Sequence, residues 1–356
     1  MAEQTGPQGA AGAGARAYIG SFTSTGGRGI TAAAVDPATG GLTPLGATDA
    51  LADPSYLALD ADRQVLYAVS ETTAGAAGAF ALDTDVPRLL GGPAPVGGAG
   101  PTHLAVAGPW LLTANYTSGG VSALPRGADG TLSAPAAVLD HAGSGPDPDR
   151  QRGPHAHQVL PDPSGRWLLS VDLGTDSVWI AALGPAGTAP RPHAETALTP
   201  GSGPRHLAFH PSGAYVYVLN ELTPTLTVCR FDAAAGTLTV LDEVPVVPEE
   251  ASEYVRGYPS ALVASPDGRH LWAAVRGHDT IAVLAVGEAG ERVALTATVS
   301  CGGVWPRDLA LDPAGRRLYA ANERSGDVTW FDLTPEALPT PKGTLPLPSP
   351  TCVVFT

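Results

Sequence analysis

Pro204-Arg-His-Leu-Ala-Phe-His-Pro-Ser-Gly-Ala-Tyr-Val-Tyr-Val-Leu-Asn-Glu221 decides the fold. An apolar run enters a His-Pro-Ser-Gly turn and a second apolar run leaves it. Pro presets the backbone for a turn and Gly accepts the left-handed conformation that closes it, so the stretch reads as a β-hairpin. The unit recurs. Its turns are Asp60-Ala-Asp-Arg63, the degenerate Ala107-Gly-Pro-Trp110, Asp162-Pro-Ser-Gly165, His210-Pro-Ser-Gly213, Ser265-Pro-Asp-Gly268 and Asp312-Pro-Ala-Gly315, at intervals of 47 to 55 residues. A period of this length built from short strands is the signature of a propeller blade, and it is too long for a simple meander. The first strand of each hairpin is apolar on both faces, as a strand wedged between neighbouring sheets must be.

Six copies are explicit and a seventh is divided between the ends. Pro350–Phe355 has the form of a first strand with nothing after it, and Ala15–Phe22 that of a second strand with nothing before it. Joining them closes a ring and removes an exposed sheet edge. The expected fold is therefore all-β, a seven-bladed β-propeller over residues 16–356 with blade seven closed by N- and C-terminal strands. Residues 1–15, rich in Gly and Ala, are expected to form a flexible tail.

Composition agrees with this. Hydrophobic residues make up 44% of the 356 and charged residues 15%, so a large core can be buried, and 44 Gly and 35 Pro serve as punctuation between strands. The net charge of −14 with no basic run argues against nucleic-acid and anionic-membrane partners. No apolar stretch is long enough to span a bilayer and no secretory signal is visible, so a cytoplasmic location is expected. Cys229, Cys301 and Cys352 form no CxxC pair and read as buried reduced thiols. Nothing in the sequence speaks to oligomeric state.

Chemistry gathers where the apolar strands begin and end. Five residues before each turn stand Ser55, Thr102, His157, Arg205, Ser260 and Arg307, with Thr351 in the divided blade. The antiparallel second strands return to the same mouth with Glu71, Asn115 and Tyr116, Asp172, Asn220 and Glu221, Arg276, and Asn322 and Glu323. Three Arg converging on one opening would repel one another without an anion, and a guanidinium fork suits carboxylate or phosphate. The partner expected is a small anionic lactone or carboxylate. His155 and His157 share a face if extended and could be a metal pair, but spacing identifies no third ligand. No metal or cofactor is therefore expected. His103 and His206, one place further along their strands, are expected to point away from the mouth as hydrogen-bonded packing residues.

An ordered set of short stretches resembles the lactonase family of seven-bladed propellers. That family includes 6-phosphogluconolactonases of the cycloisomerase-2 type and is similar to eukaryotic-type carboxymuconate lactonizing enzymes. The stretches are Tyr18-Ile-Gly-Ser-Phe-Thr23, Pro54-Ser-Tyr-Leu57, Tyr67-Ala-Val-Ser-Glu71, Asn115-Tyr116, His155-Ala-His157, Asp172-Leu-Gly174, Pro204-Arg-His206, Asn220-Glu221-Leu222, Arg276-Gly277, Pro306-Arg307 and Pro350-Thr-Cys-Val353. In the lactonizing relatives a His, two Arg and a Glu line the site, and these look like His157 (or His155), Arg205, Arg276 and Glu221. The resemblance implies lactone hydrolysis. Glu221 or His157 would act as general base, and Arg205 and Arg276 would bind the anion and hold developing negative charge. Arg307, His155, Glu71, Tyr116, Asp172 and Asn322 would complete the substrate pocket, and the loop Ser144–Gly153 could act as a lid. A lactonizing cycloisomerase and a non-catalytic binding propeller are the alternatives. Glu221→Gln is expected to leave the fold intact and cut turnover by about 10²–10⁴.

Overall fold

The computed structural model describes residues 15–184, 188–248 and 256–356. Of the expected tail only Ala15 falls within them. Seven antiparallel sheets follow one another around a ring. Their innermost strands are Leu57–Asp60, Pro101–Ala107, Ala156–Pro161, Pro204–Phe209, Tyr258–Ala264, Pro306–Leu311 and Pro350–Phe355, counted here as blades one to seven. In the seventh blade Pro350–Phe355 pairs with Arg16–Ser21, and the sheet continues outward through Ile30–Val35 and Leu42–Thr48. Among the described residues no helix is long and apolar enough to cross a membrane.

The core lies between sheets rather than inside one. Leu219 and Val228 of blade four pack on Leu271, Ala273 and Leu284 of blade five. Tyr319 and Val328 of blade six pack on Ile19 and Ala33 of blade seven. Burial on both faces explains the uninterrupted apolar runs. A second device ties neighbouring blades. The buried hydroxyls of Tyr67, Tyr217 and Tyr319 donate to the carbonyls of Gly130, Gly290 and Gly40, each in an outer turn of the next blade. All three glycines have positive φ, a conformation a side chain would disfavour. Cys229, Cys301 and Cys352 are buried and free.

The inner strands carry an irregularity that positions the site. In six blades the register with the second strand slips near the polar residue at the strand start. Thr102, His157, Arg205, Arg307 and Thr351 are each passed over in the pairing, as is the Ser260–Ala261 segment. A β-bulge of this kind bends the strand and re-aims a side chain. It also leaves backbone groups facing the axis, and side chains from the preceding blade satisfy several of them. Thr102 Oγ1 donates to the His157 carbonyl, Arg205 Nη1 to the Ser260 carbonyl and Ser260 Oγ to the Pro306 carbonyl. Gln158 accepts from the Leu207 amide and Asp308 from the Val353 amide.

Candidate functional site

At the mouth where inner strands begin, three guanidiniums meet one carboxylate. Glu221 lies one residue beyond the second strand of blade four and is almost fully buried. Its Oε2 is 2.9 Å from Arg205 Nε and 2.8 Å from Arg276 Nη2, and its Oε1 is 2.8 Å from Arg150 Nη2. The Arg205 contact lacks hydrogen-bond alignment, so it is an ionic contact. Arg276 also donates to the carbonyls of Tyr258 and Pro259 and lies over the Trp305 ring. Across the opening Arg307 bridges Glu323 at 3.2 Å and Glu71 at 3.4 Å and lies over Phe22. Four guanidiniums thus meet three carboxylates. The mutual repulsion expected from sequence is answered largely by the protein's own acids, and a surplus of positive charge remains.

The electrostatics follow from this crowding. Burial alone would push the Glu221 carboxyl up, but Arg276, Arg205 and Arg150 together override it and hold its pKa at about 2. Burial, and then Arg276, press the pKa of Arg205 down to about 9. Arginine keeps its charge in proteins, so that pressure is an electrostatic cost that an arriving anion relieves. His157 is driven well below the ordinary histidine range by burial and then by Arg205, Arg307 and Arg276. It is a neutral imidazole at neutral pH, and its Nδ1 is buried without a partner.

His155 and His157 both pack on Tyr116, in different orientations. His155 stacks on Tyr116 with ring centroids 4.5 Å apart, and its Nδ1 contacts the Tyr116 carbonyl. His157 meets the same ring edge-on at 5.5 Å. The Tyr116 hydroxyl accepts from Arg150.

Two residues expected in the pocket are elsewhere. Asp172 is completely buried, and its carboxylate is committed to the amides of His155, Gly174 and Thr175 and to His141 Nδ1 at 2.7 Å. It fastens the segment that carries His155 and has no face toward a substrate. Asn322 is also fully buried, and its Nδ2 donates to Asp327 and Thr329 inside blade six. Asn115 and Asn220 make the same kind of tie in blades two and four. Sequence position placed these side chains at a strand end, but their hydrogen bonds turn them into the sheet.

His103 and His206 correct the expectation in the opposite direction. Tyr56, His103 and His206 from blades one, two and four meet across the channel, and in blades two and four the register slip lies immediately before the histidine. Their centroids are 4.1 Å (Tyr56–His103), 5.8 Å (His103–His206) and 6.3 Å (Tyr56–His206) apart, and His206 is 5.7 Å from His157. Burial lowers His103 to about 3 and raises the Asp308 carboxyl to about 7. These groups line a chamber of about 530 Å³, walled further out by apolar side chains such as Leu160, Phe209 and Val263.

Arg150 was missed in the sequence because it belongs to no repeat. It stands in the long connection between Ala137–Asp140 and Ala156–Pro161, and the signal available was that loop's Asp- and Arg-rich composition. Among the described residues no group of three or more His, Cys, Asp or Glu is arranged to hold a metal ion.

The comparisons agree with this architecture. A family model described as "Lactonase, 7-bladed beta-propeller" matches residues 16–355. A 6-phosphogluconolactonase of Bacillus subtilis is 32% identical over 350 residues, covering 95% of this chain and 97% of that one. A 6-phosphogluconolactonase of Formosa agariphila is 28% identical, covering 88% and 91%. The structure of a periplasmic gluconolactonase of Pseudomonas aeruginosa superposes with a TM-score of 0.89 at 27% identity, covering 96% and 99%.

Proposed function

We propose that this chain, which belongs to the lactonase family of seven-bladed β-propellers, hydrolyses the ring ester of a small anionic sugar lactone at the mouth built by Arg205, Glu221 and Arg276. Lactonase activity follows from the family and its relatives; the substrate and the residue roles are our reading. The observation that carries them is a neutral, buried His157 beside guanidiniums that one carboxylate holds in place.

His157 accepts a proton from water as the water oxygen adds to the lactone carbonyl carbon. Arg276, with Arg205 behind it, stabilises the oxyanion that forms. Collapse of the tetrahedral intermediate breaks the bond to the ring oxygen, which takes the proton back from His157. The product is a hydroxy acid that ionises. Sequence left Glu221 and His157 open as the base. Both oxygens of Glu221 are engaged by guanidiniums, whereas His157 Nδ1 has no partner, so we read His157 as the base and Glu221 as the clamp that orients the arginines. Arg307, paired with Glu71 and Glu323, extends the positive rim.

The test is a panel of phosphorylated, carboxylated and neutral sugar lactones with wild type and Arg276→Ala. Faster hydrolysis of the anionic lactones, lost by ~10²-fold or more in the variant, supports the reading. Preference for neutral lactones, or an indifferent Arg276→Ala, removes it.

A further inference from the structure

The four arginines of the mouth are not equally free. Arg205 is buried, with Nη1 on the Ser260 carbonyl and Nε against Glu221. Arg276 spends Nε and Nη2 on two backbone carbonyls and Glu221. Arg307 has Nη1 on Glu323 and Nη2 on Glu71. Arg150 differs. Nη2 alone holds Glu221 and the Tyr116 hydroxyl, no hydrogen bond among the described residues uses its Nε or Nη1, and its side chain is 35% exposed.

The loop that carries Arg150 is rigidly built. Gln151, fully buried, donates from Nε2 to the Leu173 carbonyl at 2.8 Å and to Asp176 at 2.6 Å, and its Oε1 accepts from the Asp147 amide. Asp147 Oδ1 in turn accepts the amides of Asp149 and Arg150. Such a turn fixes where the next side chain leaves the backbone. A half-exposed guanidinium with open donors, held on a pinned loop outside the repeat, is suited to recognition rather than to packing.

We propose that Arg150 reads the exocyclic anion of the substrate, a phosphate monoester or carboxylate carried away from the ring carbonyl, and so sets the preference for charged over neutral lactones. The proposal rests on the lactonase reading above. Gln151 is its positioning residue, with no contact to substrate of its own.

The experiment measures kcat and KM of wild type, Arg150→Ala, Arg150→Lys and Gln151→Leu on 6-phosphogluconolactone, on a sugar lactone carrying a free carboxylate, and on gluconolactone. In Arg150→Ala the ratio of kcat/KM for the anionic over the neutral lactone is expected to fall by about 10- to 100-fold, mostly through KM, as loss of charge-assisted hydrogen bonds implies. Arg150→Lys keeps the charge without the planar fork and restores part of the ratio. Gln151→Leu shifts the ratio in the same direction with the guanidinium still present. Comparing the phosphorylated and carboxylated substrates identifies which anion is read. An equal loss on all three substrates in Arg150→Ala overturns the proposal, because Arg150 would then merely brace Glu221. A wild type that hydrolyses all three without preference overturns it too. A wild type that hydrolyses none removes the lactonase reading itself, a distinct failure.

Discussion

Glu221→Gln isolates the charge on which the arginine cluster depends. The substitution keeps size and hydrogen-bonding atoms but leaves Arg205 and Arg276, both nearly buried, without their shared counter-ion. Removing one partner of a buried pair costs about 3–5 kcal/mol, because the remaining charge stays desolvated. The more exposed Arg150 adds at most ~1 kcal/mol. In a chain of this size that corresponds to a fall in Tm of roughly 4–8 °C. Turnover should drop about 10²-fold or more as the guanidiniums lose their orientation. Calorimetry or fluorescence melting with and without sulfate reads the effect. Sulfate should raise the Tm of the variant more than that of wild type, by supplying at the mouth the negative charge that the substitution removes. The pH dependence gives a second readout. The carboxyl is depressed in the folded state, so its stabilisation is present above its unfolded pKa of about 4.5 and is lost as pH falls toward about 2. The variant should lack that acid step. A Glu221→Gln protein that melts with wild type and ignores sulfate would refute the reasoning, and with it the assignment of Glu221 as clamp.

With His157 neutral and its pKa driven well below 6.5, kcat on gluconolactone should stay flat from pH 8 to below pH 6 and fall only in more acid solution; an inflection near 6.5 would assign the base elsewhere. Asp308 is raised to about 7, so its folded form holds a proton that the unfolded chain loses near 3.8, and this group makes stability decline between those values. Asp308→Asn can still accept the Val353 amide, so it should flatten that decline and gain a few kcal/mol at pH 8 in urea titrations; a variant less stable at pH 8 would show that the carboxyl is ionised and paired. Deleting residues 350–356 removes the inner strand of blade seven and exposes the edge of Arg16–Ser21. That protein should lose cooperative melting, whereas a sharp unaltered transition would mean that the ring does not depend on this closure.

Much of the fold was legible because the turn chemistry repeats and because strands buried on both faces leave unmistakable apolar runs. The divided blade could be read from Pro350–Phe355 and Ala15–Phe22 for the same reason. The site was legible only as far as strand topology carries side chains to one mouth: His157, Arg205, Glu221, Arg276 and Arg307 arrive there. Asp172 and Asn322 fail because position along a strand does not reveal that a side chain will bend back to tie amides and hydroxyls of its own blade. His103 and His206 fail because a bulge breaks the two-residue alternation on which the facing argument rested. Arg150 lies outside every repeat, and its place in the site depends on how Gln151 pins the loop, which no periodicity encodes.

The most direct test of the account is a crystal structure of the protein soaked with 6-phosphogluconate, the hydroxy acid that hydrolysis of 6-phosphogluconolactone would release. The account predicts the product at the mouth, with its new carboxylate near Arg276 and His157 and its phosphate on Arg150. Product bound in the chamber beneath Tyr56, His103 and His206, or against the outer turns of the blades, would contradict it.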